Sequence, residues 1–181
     1  MIYLFLAEGF EEVEAMSPLD VLRRCGVEIK TVGVGGKQIT GAHGVTFTAD
    51  LEDRELVLDE TLDGVILPGG MPGTLNLEAS TTVQAALDYA AANGKLVSAI
   101  CAAPSILGHK QLLAGKKATC FPGFEKDLLG AEVTGDSVTV DNNFITANGA
   151  GSALLFGLEL ASYVVGSEKA TSVLKSMQYK F

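Results

Sequence analysis

The sequence predicts a three-layer α/β/α sandwich built on a mainly parallel central sheet. Short apolar runs alternate along the chain with longer amphipathic segments, a pattern typical of strands joined by helices. The first run, Ile2–Ala7, is apolar throughout, as expected of a strand that is covered on both faces. Of 181 residues, 48% are hydrophobic and 19% are charged, so we expect one folded domain spanning residues 1–181.

Further strands are predicted wherever a short apolar run ends in glycine or in a turn. Two of them bear on function: Gly64–Pro68 is followed by Gly69 and Gly70, and Lys95–Ile100 leads directly into Cys101. The other predicted strands are Val27–Val34, Val45–Ala49, Lys116–Cys120 and Phe144–Ala147, while Glu132–Thr134 and Ser137–Asp141 are expected to pair with each other.

Capping residues and periodicity together predict the helices. Ser17 and Pro18 are typical of a helix start, and Gly26 is typical of a helix end. They predict a first full helix at Pro18–Cys25, preceded by a short helical turn at Glu11–Met16. Later helices are predicted at Thr81–Ala92, Ala102–Leu107, Ser152–Val165 and Glu168–Ser176, and the acidic run Asp50–Glu60 is predicted as a solvated loop and helix.

The charge and the cysteines exclude several classes of protein. A formal net charge of −9 disfavours nucleic acid and anionic membranes as partners. The N-terminal apolar run lacks a basic lead and is too short for a signal peptide or a membrane span. Three cysteines without metal-type spacing predict free thiols and a reducing compartment. We therefore expect a cytoplasmic protein without a metal site or a cofactor.

Cys101 is the candidate nucleophile, because it stands where an apolar strand meets a helix. The small residues Ala102 and Ala103 suit a crowded, strained turn, and Pro104 suits the first turn of the helix. The positive end of the helix dipole favours a thiolate here. The N–H groups of Ala102 and Gly70 are expected to stabilise an oxyanion. From the residues alone, a buried core thiol is the competing interpretation.

Four segments carry a family resemblance. They are Ala7–Glu14, Leu67–Gly70 with Asn76-Leu77, Ala99–Pro104 and Asn148–Ser152, and their order and spacing agree over nearly the whole chain. The chain resembles the ThiJ/PfpI superfamily, in the branch of Parkinson disease protein 7 and its bacterial relatives. The resemblance implies a flavodoxin-like fold, which class I glutamine amidotransferases share, and a homodimer.

The resemblance also implies roles for individual residues. Cys101 matches the family's reactive cysteine and Glu14 the glutamate that hydrogen-bonds it, while Gly69, Gly70 and Ala102 match its oxyanion pocket. Two adjacent negative charges in a dry pocket are costly, so Glu14 is expected to keep its proton and to shuttle it. Without the resemblance, the glutamates around Glu14 are more simply interpreted as a solvated helix face.

The chain departs from the family pattern at two positions where a histidine is expected. Several relatives carry histidine at the place of Phe121, and the proteases of the superfamily carry it at the place of Ala102. Without that base, peptidase and amidohydrolase chemistry is disfavoured. Phe121 remains a candidate pocket residue, and so do His43 and Arg24, for each of which a subunit interface is the alternative location.

Gly149 and Gly151 are further pocket candidates. They lie in a segment that begins like the glycine-rich fingerprint of dinucleotide-binding proteins but lacks the third glycine of that fingerprint. The segment precedes the last long helix. We interpret them as an amide-rich wall of the pocket rather than as an NAD site.

Two functions remain open on this evidence. The first is a cofactor-independent glyoxalase or deglycase, of the hydrolase or lyase class, acting on a small aldehyde substrate or a glycated protein. Cys101 would form a hemithioacetal and Glu14 would move the proton. The alternative is a redox sensor or redox-regulated chaperone of the oxidative stress response, whose Cys101 is oxidised to sulfinate. A biosynthetic role is weaker, since no phosphate-binding loop is present.

Overall fold

A seven-stranded sheet lies between two layers of helices in the computed structural model, which describes residues 1–180. The strands are β1 (Ile2–Leu6), β2 (Ile29–Gly33), β3 (Gln38–Thr40), β4 (Thr46–Thr48), β5 (Leu51–Glu52), β6 (Gly64–Leu67), β7 (Leu96–Ile100), β8 (Lys117–Ala118), β9 (Glu132–Val133), β10 (Val138–Asp141) and β11 (Phe144–Ala147). The helices are α1 (Glu12–Arg24), α2 (Gly73–Ala79), α3 (Thr81–Ala92), α4 (Pro104–His109), α5 (Ala153–Val165) and α6 (Ser167–Ser176), with short 3-10 helices at Asp53–Glu55, Glu125–Asp127 and Ala150–Ser152.

The central sheet is parallel except at one edge. Its strands lie in the order β10-β11-β7-β6-β1-β2-β5, and only β10 and β11 form an antiparallel pair. The predicted three-layer α/β/α architecture is therefore confirmed. β3 and β4 form a separate hairpin, and β8 pairs with β9 outside the sheet. None of the helices described within residues 1–180 has the length and apolarity that crossing a membrane requires.

Alternate residues of the central strands bury their side chains on opposite faces of the sheet. In β1, Ile2, Leu4 and Leu6 belong to the core shared with α1, α5 and α6. Tyr3 and Phe5 belong to the core shared with α2, α3 and α4. This period of two explains why the run is apolar throughout. Each fully buried leucine or phenylalanine contributes roughly 1.5–3 kcal/mol to folding, so both cores fix the ends of the strands in space.

The prediction for the first helix was wrong. A short turn followed by a helix at Pro18–Cys25 is replaced by one continuous helix, α1, with Pro18 in its interior. A proline there removes the N–H that would bond the carbonyl of Glu14 and costs roughly 3 kcal/mol. Burial of Ala15, Leu19 and Leu22 against the sheet outweighs that cost. As a result, Glu14 lies in the first turn of a regular helix.

Close packing against α5 holds α1 in place. At Gly157 of α5, an added Cβ would lie 3.1 Å from the Cα of Pro18 and 3.2 Å from the Cβ of Val21. Glycine therefore lets the two helices approach each other more closely than any other residue would. Both helices begin at the carboxyl edge of the sheet, where the candidate site lies.

Strand partners at the sheet edge also differ from expectation. Glu132–Thr134 and Ser137–Asp141 do not pair with each other: β9 pairs with β8, and β10 pairs with β11. The acidic run predicted as loop and helix instead supplies edge strand β5, and α2 was not predicted. Such short segments carry little periodicity, so their partners are set by the packing around them.

Candidate active site

Cys101 occupies the strand-to-helix turn that the sequence predicts, between β7 and α4. Its backbone is left-handed, with φ 66°, a conformation that costs a non-glycine residue roughly 1–3 kcal/mol. Two backbone hydrogen bonds hold it there: the Cys101 N–H donates to the carbonyl of Ala147, and its carbonyl accepts from the N–H of Phe121, each at 2.8 Å. The side chain is partly exposed, so the thiol is accessible at the surface of the turn.

Glu14 approaches the thiol from the first turn of α1. Only 1% of Glu14 is exposed, and its Oε2 accepts a hydrogen bond from the N–H of Gly69 at 2.9 Å. The absence of a side chain at Gly69 makes the contact possible, since an added Cβ would lie 2.7 Å from both the Cys101 Cβ and the Glu14 Oε2. The acid and the thiol therefore share one small space at the ends of β6 and β7.

Burial raises the pKa of Glu14 to about 7, with a smaller rise from the charge of Glu11, while contacts with Cys101 and the Gly69 N–H oppose the shift. This direction agrees with the expectation that Glu14 holds its proton. Near neutral pH the carboxyl exchanges a proton readily, which suits a group that must both donate and accept one.

The pKa of Cys101 is raised to about 12, by burial first, then by the charge of Glu14 and its hydrogen bond. The direction is opposite to the thiolate expected from the helix dipole. α4 begins only at Pro104 and is six residues long, so its dipole acts weakly on the sulfur. An ionised Glu14 adds to the rise that burial causes, so protonation of Glu14 lowers the pKa of Cys101 only in part. Since the pKa of Glu14 is about 7, the pair loses its first proton near pH 7 and shares one proton above it.

Two backbone amides act on the Cys101 sulfur. The N–H groups of Gly70 and Ala102 both hydrogen-bond the Cys101 sulfur and lower its pKa. Gly70 is left-handed, with φ 91°, and an added Cβ would lie 2.6 Å from the carbonyl oxygen of Gly9. Glycine is required here for both reasons. Whether these amides also hold an oxyanion, as the resemblance implies, stays a prediction.

Phe121 and Gly149 lie next to the Cys101 turn, and their role as pocket residues stays a prediction. Phe121 is held by its N–H to the Cys101 carbonyl, and its side chain is 46% exposed. The position of an added Cβ on buried Gly149 lies 3.4 Å from the Phe121 Cδ2, so the ring rests against this glycine. Gly151 is exposed with open space around it and therefore belongs to the rim.

Arg24 lies at the far end of α1 from Glu14. Ten residues of helix separate them, roughly 15 Å, so Arg24 is not a pocket residue. Its Nε donates to Asp20 Oδ2 at 2.8 Å on the surface. A role for Arg24 at a subunit interface stays a prediction.

His43 lies against the start of α1 rather than against Cys101. Its Nδ1 is 3.1 Å from Glu12 Oε2 and 3.3 Å from Glu11 Oε2, and these two carboxylates raise its pKa. The ligand atoms of the three residues lie within 4.8 Å of one another, close enough in principle to share a cation. The side chain of His43 is 71% exposed, and the short distances are those of an ion pair. Glu11 and Glu12 are thus tied to the β3–β4 hairpin and are not a solvated face.

The other two cysteines lie outside the site. Cys25 and Cys120 are both buried, and burial raises the pKa of each thiol, that of Cys120 to about 11. Buried neutral thiols react slowly, so both are core residues. Sequence reasoning missed Ala147, whose carbonyl anchors Cys101. A backbone contact leaves no mark on residue type, and only the pairing of β7 with β11 reveals it.

Comparison with known proteins identifies the family. The DJ-1/PfpI family model matches residues 1–163 of the chain. Drosophila melanogaster Protein dj-1beta is 33% identical over 177 residues, covering 96% of this chain and 94% of the fly protein. A Caenorhabditis elegans protein named glutathione-independent glyoxalase DJR-1.2 is 29% identical, covering 97% and 94%. The solved structure of oxidized Toxoplasma gondii DJ-1 matches with a TM-score of 0.94 at 32% identity, covering 99% of this chain and 98% of that one. The chain therefore belongs to the DJ-1/PfpI family, as its resemblance to ThiJ/PfpI proteins predicted.

Proposed function

We propose that the chain is a cofactor-independent glyoxalase that converts small α-oxoaldehydes, such as methylglyoxal, to 2-hydroxy acids. The observation that carries the proposal is a carboxyl, Glu14, that is 1% exposed, has its pKa raised to about 7 and contacts the Cys101 thiol. A nucleophile beside an acid that titrates near neutral pH suits proton transfer between adjacent carbons. The relative named as a glutathione-independent glyoxalase supports the same class of reaction.

The first step is addition to the aldehyde. When the sulfur attacks, the proton that it shares with Glu14 is held by Glu14. The sulfur forms a bond to the aldehyde carbon while the π electrons of the carbonyl group move to its oxygen. The N–H groups of Gly70 and Ala102 stabilise the new oxyanion, because they already face the sulfur. Protonation by Glu14 gives a neutral hemithioacetal.

The second step moves a proton between the two carbons. Ionised Glu14 removes the proton from the former aldehyde carbon, and an enediolate forms across the two carbons. Glu14 returns the proton to the former ketone carbon, while the hydroxyl proton of the hemithioacetal passes to the oxygen on that second carbon, which leaves a thioester carbonyl on the first. The first carbon is oxidised to the acyl level and the second is reduced to an alcohol, so no external oxidant or reductant is needed. Water then cleaves the thioester, which releases the hydroxy acid and restores the thiol.

The same addition extends to early glycation adducts. Such adducts carry a carbon at the aldehyde level bonded to an amine, and loss of the amine after attack by Cys101 would make the protein a deglycase. Both activities depend on the same sulfur and the same acid.

Lactate formation from methylglyoxal tests the proposal. Purified wild-type protein is expected to form L- or D-lactate at a rate proportional to enzyme concentration, and Cys101→Ser is expected to abolish it. The Cys25→Ser variant is the matched control, since it replaces a buried thiol at the end of α1 opposite to Glu14. Lactate from wild-type protein at no more than the Cys101→Ser level would refute the proposal.

A second candidate function is redox sensing at the same sulfur. Two hydrogen-bonding amides and a protonated carboxyl around Cys101 suit the oxygens of a sulfinate, which forms when two equivalents of peroxide each transfer one oxygen and leave as water. Mass spectrometry after mild peroxide treatment tests this function. A gain of two oxygens on Cys101, without aldehyde turnover by the reduced protein, favours it. Oxidation spread equally over the three cysteines would count against it.

A further inference from the structure

The side chain of Phe121 is a large apolar group left exposed at the mouth of the site. Its exposed fraction is 46%, whereas the preceding residue, Cys120, is only 6% exposed. The backbone N–H of Phe121 is fixed on the carbonyl of Cys101 at 2.8 Å. The backbone that carries the ring is therefore one hydrogen bond away from the backbone of the nucleophile, and it is anchored there.

Gly149 sets the orientation of this ring. The position of an added Cβ on Gly149 lies 3.4 Å from Cδ2 and 3.9 Å from Cε2 of Phe121, the two nearest atoms to it. Part of the ring thus rests on a surface without a side chain, while 46% of the residue stays exposed. Gly149 follows Ala147, whose carbonyl holds the Cys101 N–H, so ring, glycine and nucleophile belong to one rigid cluster.

The polar groups around the sulfur come from segments of the chain other than the one that carries this ring. Glu14 and the amides of Gly70 and Ala102 surround Cys101, and they serve the reacting oxygen and proton. Both histidines of the sequence are engaged elsewhere, His43 with Glu11 and Glu12, and His109 with Glu78. A substituent that extends from the ketone carbon toward Phe121 thus meets an apolar surface.

We infer that Phe121, backed by Gly149, forms an aromatic subsite that selects α-oxoaldehydes with an aryl or other large apolar substituent over methylglyoxal. A methyl group covers little of the open ring, whereas a phenyl group stacks on it or meets its edge. The added apolar contact and the ring–ring interaction are together expected to favour the aryl substrate by about tenfold. For turnover, the inference rests on the proposed glyoxalase function.

The first test compares kcat/KM for phenylglyoxal and methylglyoxal. The ratio of the two is expected to fall about tenfold in Phe121→Ala and in Phe121→His relative to wild type. Both variants keep the backbone N–H that anchors Cys101, so methylglyoxal turnover should change much less. Tyr163→Ala is the matched control, because this tyrosine is also 46% exposed but lies near the end of α5. A ratio unchanged by both Phe121 variants would overturn the inference.

A second test needs no turnover and separates this inference from the proposed function. Cys101 is alkylated with N-benzyl iodoacetamide and with iodoacetamide, and the ratio of the two rates is measured by intact mass. The ratio is expected to fall severalfold in Phe121→Ala and to stay constant in Tyr163→Ala. If neither aldehyde is converted, the glyoxalase proposal fails while the alkylation ratio still decides whether the aromatic subsite exists. An equal ratio in wild type and Phe121→Ala would refute the subsite.

Discussion

Replacing Glu14 by glutamine is predicted to stabilise the protein above pH 7 while removing its activity. The substitution keeps the shape of the side chain and an oxygen for the Gly69 N–H, which now bonds Glu14 Oε2 at 2.9 Å. It removes an ionisable group whose folded-state pKa is raised from 4.5 to about 7. Between these two pKa values the folded protein binds more protons than the unfolded chain, so wild-type stability falls as pH rises through that range.

The magnitude follows from the size of the shift. A pKa difference of about 2.5 units corresponds to roughly 3 kcal/mol, which the ionised carboxylate costs the folded state at pH 8. At pH 4 both states hold the proton and the cost is close to zero. Glu14→Gln should therefore gain up to about 3 kcal/mol over wild type at pH 8 and almost nothing at pH 4.

Urea unfolding at the two pH values measures this difference. Glu132→Gln makes the same chemical change on exposed strand β9 and serves as the control, with the same small effect at both pH values. Turnover of methylglyoxal by Glu14→Gln is expected to fall about 10²–10⁴-fold, because an amide cannot shuttle a proton. A stability difference that does not change between pH 4 and pH 8 would refute the argument from burial.

Three further predictions follow from the site and the resemblance. The rate of Cys101 alkylation should rise with pH through about 7, as the Glu14–Cys101 pair loses its first proton. Glu11→Gln should move the midpoint of this rise to lower pH, because the charge of Glu11 raises the pKa of Glu14. A midpoint that moves to higher pH would contradict the prediction. Gly69→Ala should destabilise the fold by about 1–3 kcal/mol and slow alkylation of Cys101 at least tenfold, since the new Cβ would lie 2.7 Å from the Cys101 Cβ. Unfolding curves and alkylation rates equal to those of the wild type would contradict the prediction. Analytical ultracentrifugation at micromolar concentration should show the homodimer that the resemblance implies. A charge reversal at a subunit interface weakens the dimer, so Arg24→Glu should shift the equilibrium toward monomer if Arg24 lies there. A monomeric wild-type protein would contradict the predicted dimer.

The sequence predicted the parts of the fold that depend on long apolar runs. β1, β6, β7 and β11 are buried throughout, and a continuous apolar run in a parallel sheet is readable from residue type alone. The position of Cys101 followed from the same logic, because its strand ends abruptly in small residues. The helix at Thr81–Ala92 was predicted with the bounds that the structure has, since Ser80 caps it through the Val83 N–H.

The remaining features depend on contacts between distant parts of the chain. Pro18 is a good signal of a helix start, yet packing on α5 and the sheet carries α1 through it. β9 pairs with β8 rather than with β10, and the residue types of a two-residue strand do not specify its partner. The burial of Glu14 was known only through the family resemblance, because its neighbours Glu11 and Glu12 make the local pattern appear solvated. The raised pKa of Cys101 was missed because the helix dipole is a local signal, whereas the burial that raises the pKa and the charge of Glu14 that adds to it depend on the folded chain.

The unfavourable features of this site are concentrated where the fold is most rigid. A left-handed Cys101 and a buried carboxyl at Glu14 both oppose folding locally, and the left-handed backbone at position 70 requires glycine. They lie just beyond β7, at the start of α1 and beyond β6, whose buried residues fill both cores. Because those elements hold the backbone in place, the amides and the acid face the sulfur before any substrate arrives. Under the proposed function, the reacting oxygen and proton already have their partners in these main-chain groups and Glu14, so that chemistry needs no histidine at position 121.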